Sequence, residues 1–294
     1  NWEQFVAQGS SPLGEPVGNA PIFRSLRPTA NSARYFPNVS RILNRDFTNV
    51  QEFMPTYGRD LTFRFVVRDN NPLGSAAVWE EIKFKVAPGD VGPFELTYPV
   101  NEVKMEVGKK LNVAWNVANT DKAPVNCKFV DIYVSLNNNL DFNSEMMVKV
   151  AENVPNDGSE TIIVPNTPST TARIVIKASD NIFFTTGLRN SRIDLPTSPS
   201  FFVDVKEPGR KVCLPDEVAF EFSSIGLAGL AENIIFEVIS GLPQGATAAF
   251  SKNDVAPGES TMLDIDLSNV VGTANYEVIV RSYVTGIDTI DRIL

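Results

Sequence analysis

The sequence contains no histidine in 294 residues. Imidazole is the side chain that changes charge near neutral pH, so its absence removes Ser-His-Asp and Cys-His nucleophile pairs and the H-E-x-x-H zinc helix together. Cysteine is almost as scarce. Cys127 and Cys213 are the two present, too few for a disulfide framework. They are expected in different domains as buried free thiols, acting as small hydrophobes in β-rich cores; a bridge between domains is the alternative. Basic residues are outnumbered, 26 Lys and Arg against 35 Asp and Glu, for a net charge of −9. That balance gives nucleic acid no basic face to bind. No apolar run approaches the roughly 20 residues a membrane-spanning helix needs. The chain opens on Asn1 with no signal-peptide pattern, and it is read as a piece of a longer protein.

What the chain does have is apolar residues at period two. Leu111, Val113, Trp115 and Val117 alternate with Asn112, Ala114 and Asn116. After a polar turn with Pro124, Val130, Ile132, Val134 and Leu136 alternate with Asp131, Tyr133 and Ser135. Each run predicts a strand with one buried and one wet face, and the pair forms the centre of a β-sandwich. Asn137-Asn138-Asn139 closes the second strand, because Asn tolerates left-handed backbone angles.

The same pattern recurs along the chain. Asp60–Arg68 and Trp79–Val86 pair across the turn at 69–74, with Ile82, Phe84 and Val86 facing in. Val39–Leu43 fits one helical turn. Short strands follow at 93–99, 146–150, 161–164 and 172–178. A linker at Leu195–Ser200 leads to further strands at 201–205, 217–222, 234–240, 246–250, 260–267 and 275–283. In this last part Ser224–Ala231 is the one helix-tolerant stretch. With 20 Pro and 18 Gly spread between them, such strands predict an all-β chain of three tandem β-sandwich, immunoglobulin-like domains: 1–91, 92–197 and 198–294.

Several stretches resemble one family. Val17-Gly-Asn-Ala-Pro-Ile-Phe-Arg-Ser-Leu-Arg-Pro-Thr29, Arg34-Tyr-Phe-Pro37, Gly92-Pro-Phe-Glu95, Trp115-Asn-Val-Ala-Asn-Thr-Asp-Lys-Ala-Pro-Val-Asn-Cys127, Val154-Pro-Asn-Asp-Gly-Ser159 and Asn181-Ile-Phe-Phe184 are similar to the segment that follows the catalytic domain in secreted reprolysin-like zinc metalloproteases of Bacteroidetes-type bacteria. Gly241-Leu-Pro-Gln-Gly-Ala246 resembles a generic immunoglobulin-like module of secreted, adhesin-like proteins. The resemblance implies a non-catalytic accessory or adhesion region, extracellular or on the cell surface. The family's zinc site lies upstream of the matched part, so no catalytic residue carries over. One departure stands out: the family's Ser-x-Asp-Gly-Gly-x-x-Phe turn is replaced here by Ser135-Leu-Asn-Asn-Asn-Leu-Asp-Phe142.

Three kinds of site are candidates. No cofactor is expected except structural calcium, whose six to eight oxygen ligands could come from acidic turns; Asp69, Asn70, Asp121 and Asp180 are the residues proposed, against the plainer reading of turn formers. Glycan binding would use exposed aromatics, with Trp2, Tyr57, Trp79 and Tyr98 as candidates and Trp115 read as core. A glycosidase would need two carboxyls flanking a cleft; Asp264 with Asp266 and Glu80 with Glu81 are the nearest pairs, more simply read as solvated strand faces. The expected partners are an extracellular protein or glycan surface, or the parent protein's own catalytic domain, with no nucleic acid and no membrane insertion. A stand-alone adhesin or carbohydrate-binding array is the rival reading.

Overall fold

The computed structural model describes residues 1–5, 9–29, 31–69 and 71–294. In chain order the elements are β1 (Trp2–Gln4), α1 (Val39–Asn44), β2 (Arg59–Arg68), β3 (Ala77–Val86), β4 (Glu95–Tyr98), β5 (Lys104–Glu106), β6 (Lys110–Asn116), β7 (Phe129–Ser135), β8 (Met147–Pro155), β9 (Ser159–Ile163), β10 (Ser169–Ala178), β11 (Phe184–Thr186) and β12 (Ser191–Asp194). They continue with β13 (Ser200–Val205), β14 (Glu217–Leu227), β15 (Ile234–Ser240), β16 (Thr247–Phe250), β17 (Asp254–Val255), β18 (Ser260–Asp266), β19 (Ile279–Val284) and β20 (Asp288–Ile293). The expected all-β class is what forms. The strands gather into two compact units. The first comprises residues 1–103, 112–162 and 170–192; the second comprises 104–111, 163–169 and 193–294.

In the first unit, residues before 91 build one antiparallel sheet in the order β1-β2-β3. Its inner face carries Leu61 and Phe63, packed with Ile22, Phe23, Phe36 and Phe84. The order then passes to a sandwich. One sheet runs β4-β6-β9 and the other β12-β10-β7-β8, with β11 added on β10. Leu96, Val113, Trp115 and Ile162 from the first sheet, and Val130, Ile132, Val134, Ile174 and Ile176 from the second, are buried. Lettered along the chain, β4, β6 and β9 are strands A, B and E, and β8, β7, β10 and β12 are C′, C, F and G. That is the strand order of an immunoglobulin-type sandwich.

The expectation for β7 needs one correction. Asp131, Tyr133 and Ser135 were predicted to be wet, yet all three are buried. The outer face of this sheet is covered by the unit's own N-terminal segment. Tyr133, Leu140, Met147 and Val175 pack with Ile42 of α1 and with Tyr35, Val39, Leu43 and Phe47 around it. The Tyr35 hydroxyl donates to the Leu140 carbonyl. Asp131 is paid for locally: its Oδ1 accepts from the Asn153 amide and the Ser179 hydroxyl, each at 2.9 Å. Helix α1 is short because its signals are close together. Asn38 caps the start, its side chain accepting from the Arg41 amide, and Arg45 ends it at φ 56, its own N–H bonded to the carbonyls of Arg41 and Ile42.

The N-terminal segment is itself pinned by a buried carboxylate. Glu52 is 1% exposed and lies 3.0 Å from Arg34 Nη2 and 3.3 Å from Arg41 Nε. Arg34 also donates to the carbonyls of Trp2 and Arg24, both at 2.7 Å.

The second unit is a sandwich of β13-β14-β18-β16 against β17-β15-β19-β20. Leaving aside the two-residue β17, the first sheet is A-B-E-D and the second C-F-G, the constant-type immunoglobulin arrangement. Phe201, Val203, Phe220, Phe222, Ile234, Phe236, Leu263, Ile265 and Val280 form its core, and Phe222, Phe236 and Phe250 meet ring to ring at 5.8 Å. Ser224–Leu227, expected to tolerate helix, is the end of β14. The Ser224 hydroxyl is buried and donates to the carbonyls of Ala256 and Glu259, which holds it extended. The segment 104–111 joins this unit through Val107 N to Asp194 O at 3.0 Å and Gly108 N to Val164 O at 3.0 Å. Lys109 Nζ reaches Asp288 at 2.5 Å, and the Ser200 hydroxyl donates to the same carboxylate at 2.9 Å.

Candidate functional site

A cleft in the first unit has a volume of about 660 Å³ and is lined by Asn19, Arg59, Asp60, Lys85, Pro124 and Asn181 among others. Its titratable side chains are already engaged. Arg59, at the start of β2, is 5% exposed, and its guanidinium donates to the Ala20 carbonyl and, at 3.2 Å, to the Tyr57 hydroxyl. Lys85 Nζ stands 3.9 Å from Asp60. The cleft therefore brings together no nucleophile with a general base.

The calcium candidates are dispersed over different loops. Asp69 follows β2, and its Oδ1 accepts from the amides of Asn71 and Ala76, closing the hairpin loop. Asn70 lies outside the described residues. Asp121 follows β6, where its carbonyl accepts from Lys128 at 2.5 Å. Asp180 is exposed after β10. Among the described residues no group of three or more His, Cys, Asp or Glu stands close enough to hold a metal ion.

The carboxylate pairs face solvent. Asp264 and Asp266 share the outer face of β18, and Asp266 lies opposite Glu217 of β14. Asp266 Oδ1 accepts from the Ser268 amide, and the hydrogen bonds from Ser268 hold its carboxyl below the usual range. Glu81 is bound by Arg64 at 2.8 Å. Adjacent on the strand, Glu80 points to the opposite face.

The aromatic candidates divide. Trp2 is half-buried, its indole donating to the Ser32 carbonyl at 2.6 Å and its ring 4.9 Å from Phe65. Tyr57 donates to the Gly18 carbonyl at 2.9 Å. Tyr98 is exposed at the end of β4. Trp79 is 55% exposed and is not alone. The Arg64 guanidinium lies between two rings, 3.8 Å from the Phe5 centroid and 5.1 Å from that of Trp79. Strand register causes this: Glu3 and Glu81 flank Arg64 on neighbouring strands, so Phe5, Arg64, Trp79 and Glu81 share the outer face of the β1-β2-β3 sheet. Such stacking of an exposed guanidinium contributes about 0.5–1 kcal/mol. Sequence reasoning singled out Trp79 but missed Phe5 and Arg64. The alternation of Arg64 against Phe63 and Phe65 was the available signal, and it needed the register to be read.

The thiols also separate. Cys127 is buried, as expected; Cys213, expected to be buried, is exposed. It sits between β13 and β14 in a stretch of exposed residues, 207–217, that supplies nothing to cover it.

No family model matches the chain, and no curated protein matches it either. Among solved structures it is similar to domains 4 and 5 of the S-layer protein SbsC, at 14% identity over 44% of this chain and 66% of that one, with a TM-score of 0.24. It is also similar to fibronectin(III)-like modules of Clostridium thermocellum CbhA, at 12% identity over 69% of this chain and 94% of that one, TM-score 0.23. A chimeric titin Z1Z2 tandem aligns at 13% identity over 69% and 98%, TM-score 0.21. The description of this chain as all-β, with immunoglobulin-like sandwiches, accordingly stands on its own strand order.

Proposed function

We propose that the chain is a non-catalytic accessory region of a secreted bacterial reprolysin-like zinc metalloprotease, serving to position or anchor the enzyme on an extracellular protein or glycan surface. What supports this reading is the run of stretches between Val17 and Phe184 that resemble that family, in a chain without a single histidine. It is supported by the state of the candidate acids and bases, which are spent on turn closure and cross-strand pairing. The partner under this reading is a matrix surface or the parent's own catalytic domain. The test is the intact mass and zinc content of the native parent protein, captured with an antibody to this region. A much larger protein carrying about one zinc, with chelator-sensitive proteolysis, is the expected result. Turnover of protein or glycan by the purified region alone would overturn the non-catalytic reading.

A second reading, a stand-alone adhesin or carbohydrate-binding array, is favoured by the exposed Phe5–Arg64–Trp79 platform. It predicts a zinc-free parent built of such modules, and glycan binding that Trp79→Ala abolishes.

A further inference from the structure

The β1-β2-β3 sheet ends on a strand that is long, open and exposed. β3 pairs with β2 over all ten of its residues, and among the described residues no strand pairs with its other edge. Its residues from Ala77 to Lys83 are all exposed. The inner face is left bare at the same place. Ile82 was predicted to face the core, and it does point to that side, but it is 47% exposed; Val78 is 67% and Val67 48% exposed. The packed cluster of this sheet reaches Phe84 and Val86 and stops there. An edge of this kind presents unpaired N–H and C=O groups next to uncovered apolar side chains.

Charges on an edge strand usually blunt it, because an arriving strand meets like charge or must bury one. The order of charges on β3 does the reverse for one partner: another β3 running antiparallel. A twofold axis perpendicular to the sheet requires facing residues to share a face, so residue pairs must sum to an even number. Centred on Ile82, the pairing sets Ile82 against Ile82, Glu81, which Arg64 holds through Oε1 alone, against the second copy's Lys83, Trp79 against its Lys85 and Val78 against its Val86. Each unlike pair occurs twice. Glu80 faces Phe84 and keeps its carboxylate at the rim. Shifting the axis to Glu81 sets Glu81 against Glu81; shifting it to Lys83 sets Glu81 against Lys85 twice but puts Lys83 against Lys83 on the axis. Parallel in-register pairing stacks every charge on its like. Opposite charges across strands stabilise by roughly 0.2–1 kcal/mol each and like charges destabilise, so the Ile82 register, which alone has two unlike pairs and no like pair, is favoured.

We infer that β3 is a homotypic docking edge, through which two copies of this chain join their N-terminal sheets into one six-stranded antiparallel sheet about Ile82. The inference is independent of what the parent protein catalyses. Strand pairing alone buries an area at the transient end of protein interfaces, so the dimer is weak and concentration-dependent.

Cysteine trapping tests the register. In a Cys213→Ser background, Ile82→Cys places two thiols on the axis, where antiparallel Cα atoms stand about 4.5–5.5 Å apart and a disulfide closes readily. Glu80→Cys places them about 13 Å apart along the strands, beyond disulfide reach. Mild oxidation is expected to link the Ile82→Cys protein at least tenfold faster than the Glu80→Cys protein. Sedimentation gives the second arm. E81K and K83E should each weaken self-association at least tenfold, and mixing the two should restore a dimer, because each then meets opposite charge on both sides of the axis. Equal cross-linking of the two cysteine variants would overturn the inference, as would E81K and K83E proteins that associate like the wild type. So would a chain that is monomeric throughout, since another occupant would then own the edge.

Discussion

The indole Nε1 of Trp115 donates to Oδ1 of Asn156 at 2.9 Å, and both residues are buried. The Asn156 amide nitrogen continues the network to the Thr120 hydroxyl at 3.0 Å and the Cys127 carbonyl at 2.9 Å. One side chain thus ties β6, the loop after it and the end of β8, and it is fully used. Asn156→Ala leaves the indole and the Cys127 carbonyl without that partner, while the Thr120 hydroxyl keeps its bond to the Val117 carbonyl. At about 1–3 kcal/mol for each buried group left unsatisfied, the expected loss is roughly 3–5 kcal/mol. That is a large share of the 5–15 kcal/mol typical of a domain. All three tryptophans, Trp2, Trp79 and Trp115, lie in the first unit. Urea unfolding followed by tryptophan fluorescence therefore reads that unit selectively, and an unchanged midpoint would refute the assignment.

Glu52 makes the same unit depend on a buried charge. Its carboxylate meets Arg34 and Arg41 and accepts from Asn38. Removing one partner of a buried ion pair strands the others, typically at about 3–5 kcal/mol. Glu52→Ala is expected to lower the fluorescence midpoint accordingly. Arg34→Ala should cost more than Arg41→Ala, because Arg34 is the more buried of the two and holds two carbonyls as well. The reverse ranking in the same titration would count against this description.

Period two made much of this legible. β15 falls on the predicted 234–240, β2 starts one residue early, and Asn138 takes the left-handed angle expected of its turn, at φ 57. What alternation cannot convey is who covers a strand's second face. Tyr133 read as wet because its cover comes from Tyr35, Ile42 and Phe47, almost a hundred residues earlier. β20 went unread because Asp288–Ile293 alternates poorly; Arg281 and Lys109 instead pair with its acids. The candidate sites were legible as residue types only. Asn156, in a stretch noted for its resemblance, is a core node, while Trp79 stood out without the Arg64 and Phe5 that the register brings to it.

The acids of β20 give the second unit a pH signature. Burial pushes the Asp288 carboxyl up, but the bonds from Lys109 and Ser200 outweigh it, and the net shift is below the ordinary 3.8. Asp291 is lowered as well, chiefly by the Arg281 hydrogen bond. A carboxylate depressed in the folded state stabilises above its unfolded pKa, and that stability is lost as pH falls through the folded value. Asp288→Asn is therefore expected to destabilise the second unit at pH 6 by about 1 kcal/mol, a figure reduced because Lys109 is half in solvent. As pH falls below 3.8 and through the depressed folded value, the gap between the variant and the wild type should narrow. Calorimetry between pH 6 and pH 2.5 checks this, and a gap that does not narrow toward the acid end would contradict it.

The two thiols should report the two units separately. Cys213 is exposed, whereas Cys127 is 3% exposed and burial pushes its thiol up. Reactivity follows thiolate fraction and access. A thiol reagent at pH 8 is expected to modify Cys213 within the time of mixing and to leave Cys127 untouched in the native chain. Cys127 then becomes a clock for opening of the first unit, since its carbonyl is one of the groups Asn156 holds. In the Asn156→Ala variant its labelling should accelerate at least tenfold while that of Cys213 stays constant. Two thiols reacting at one rate in the wild type would mean that Cys127 is not buried in the first unit.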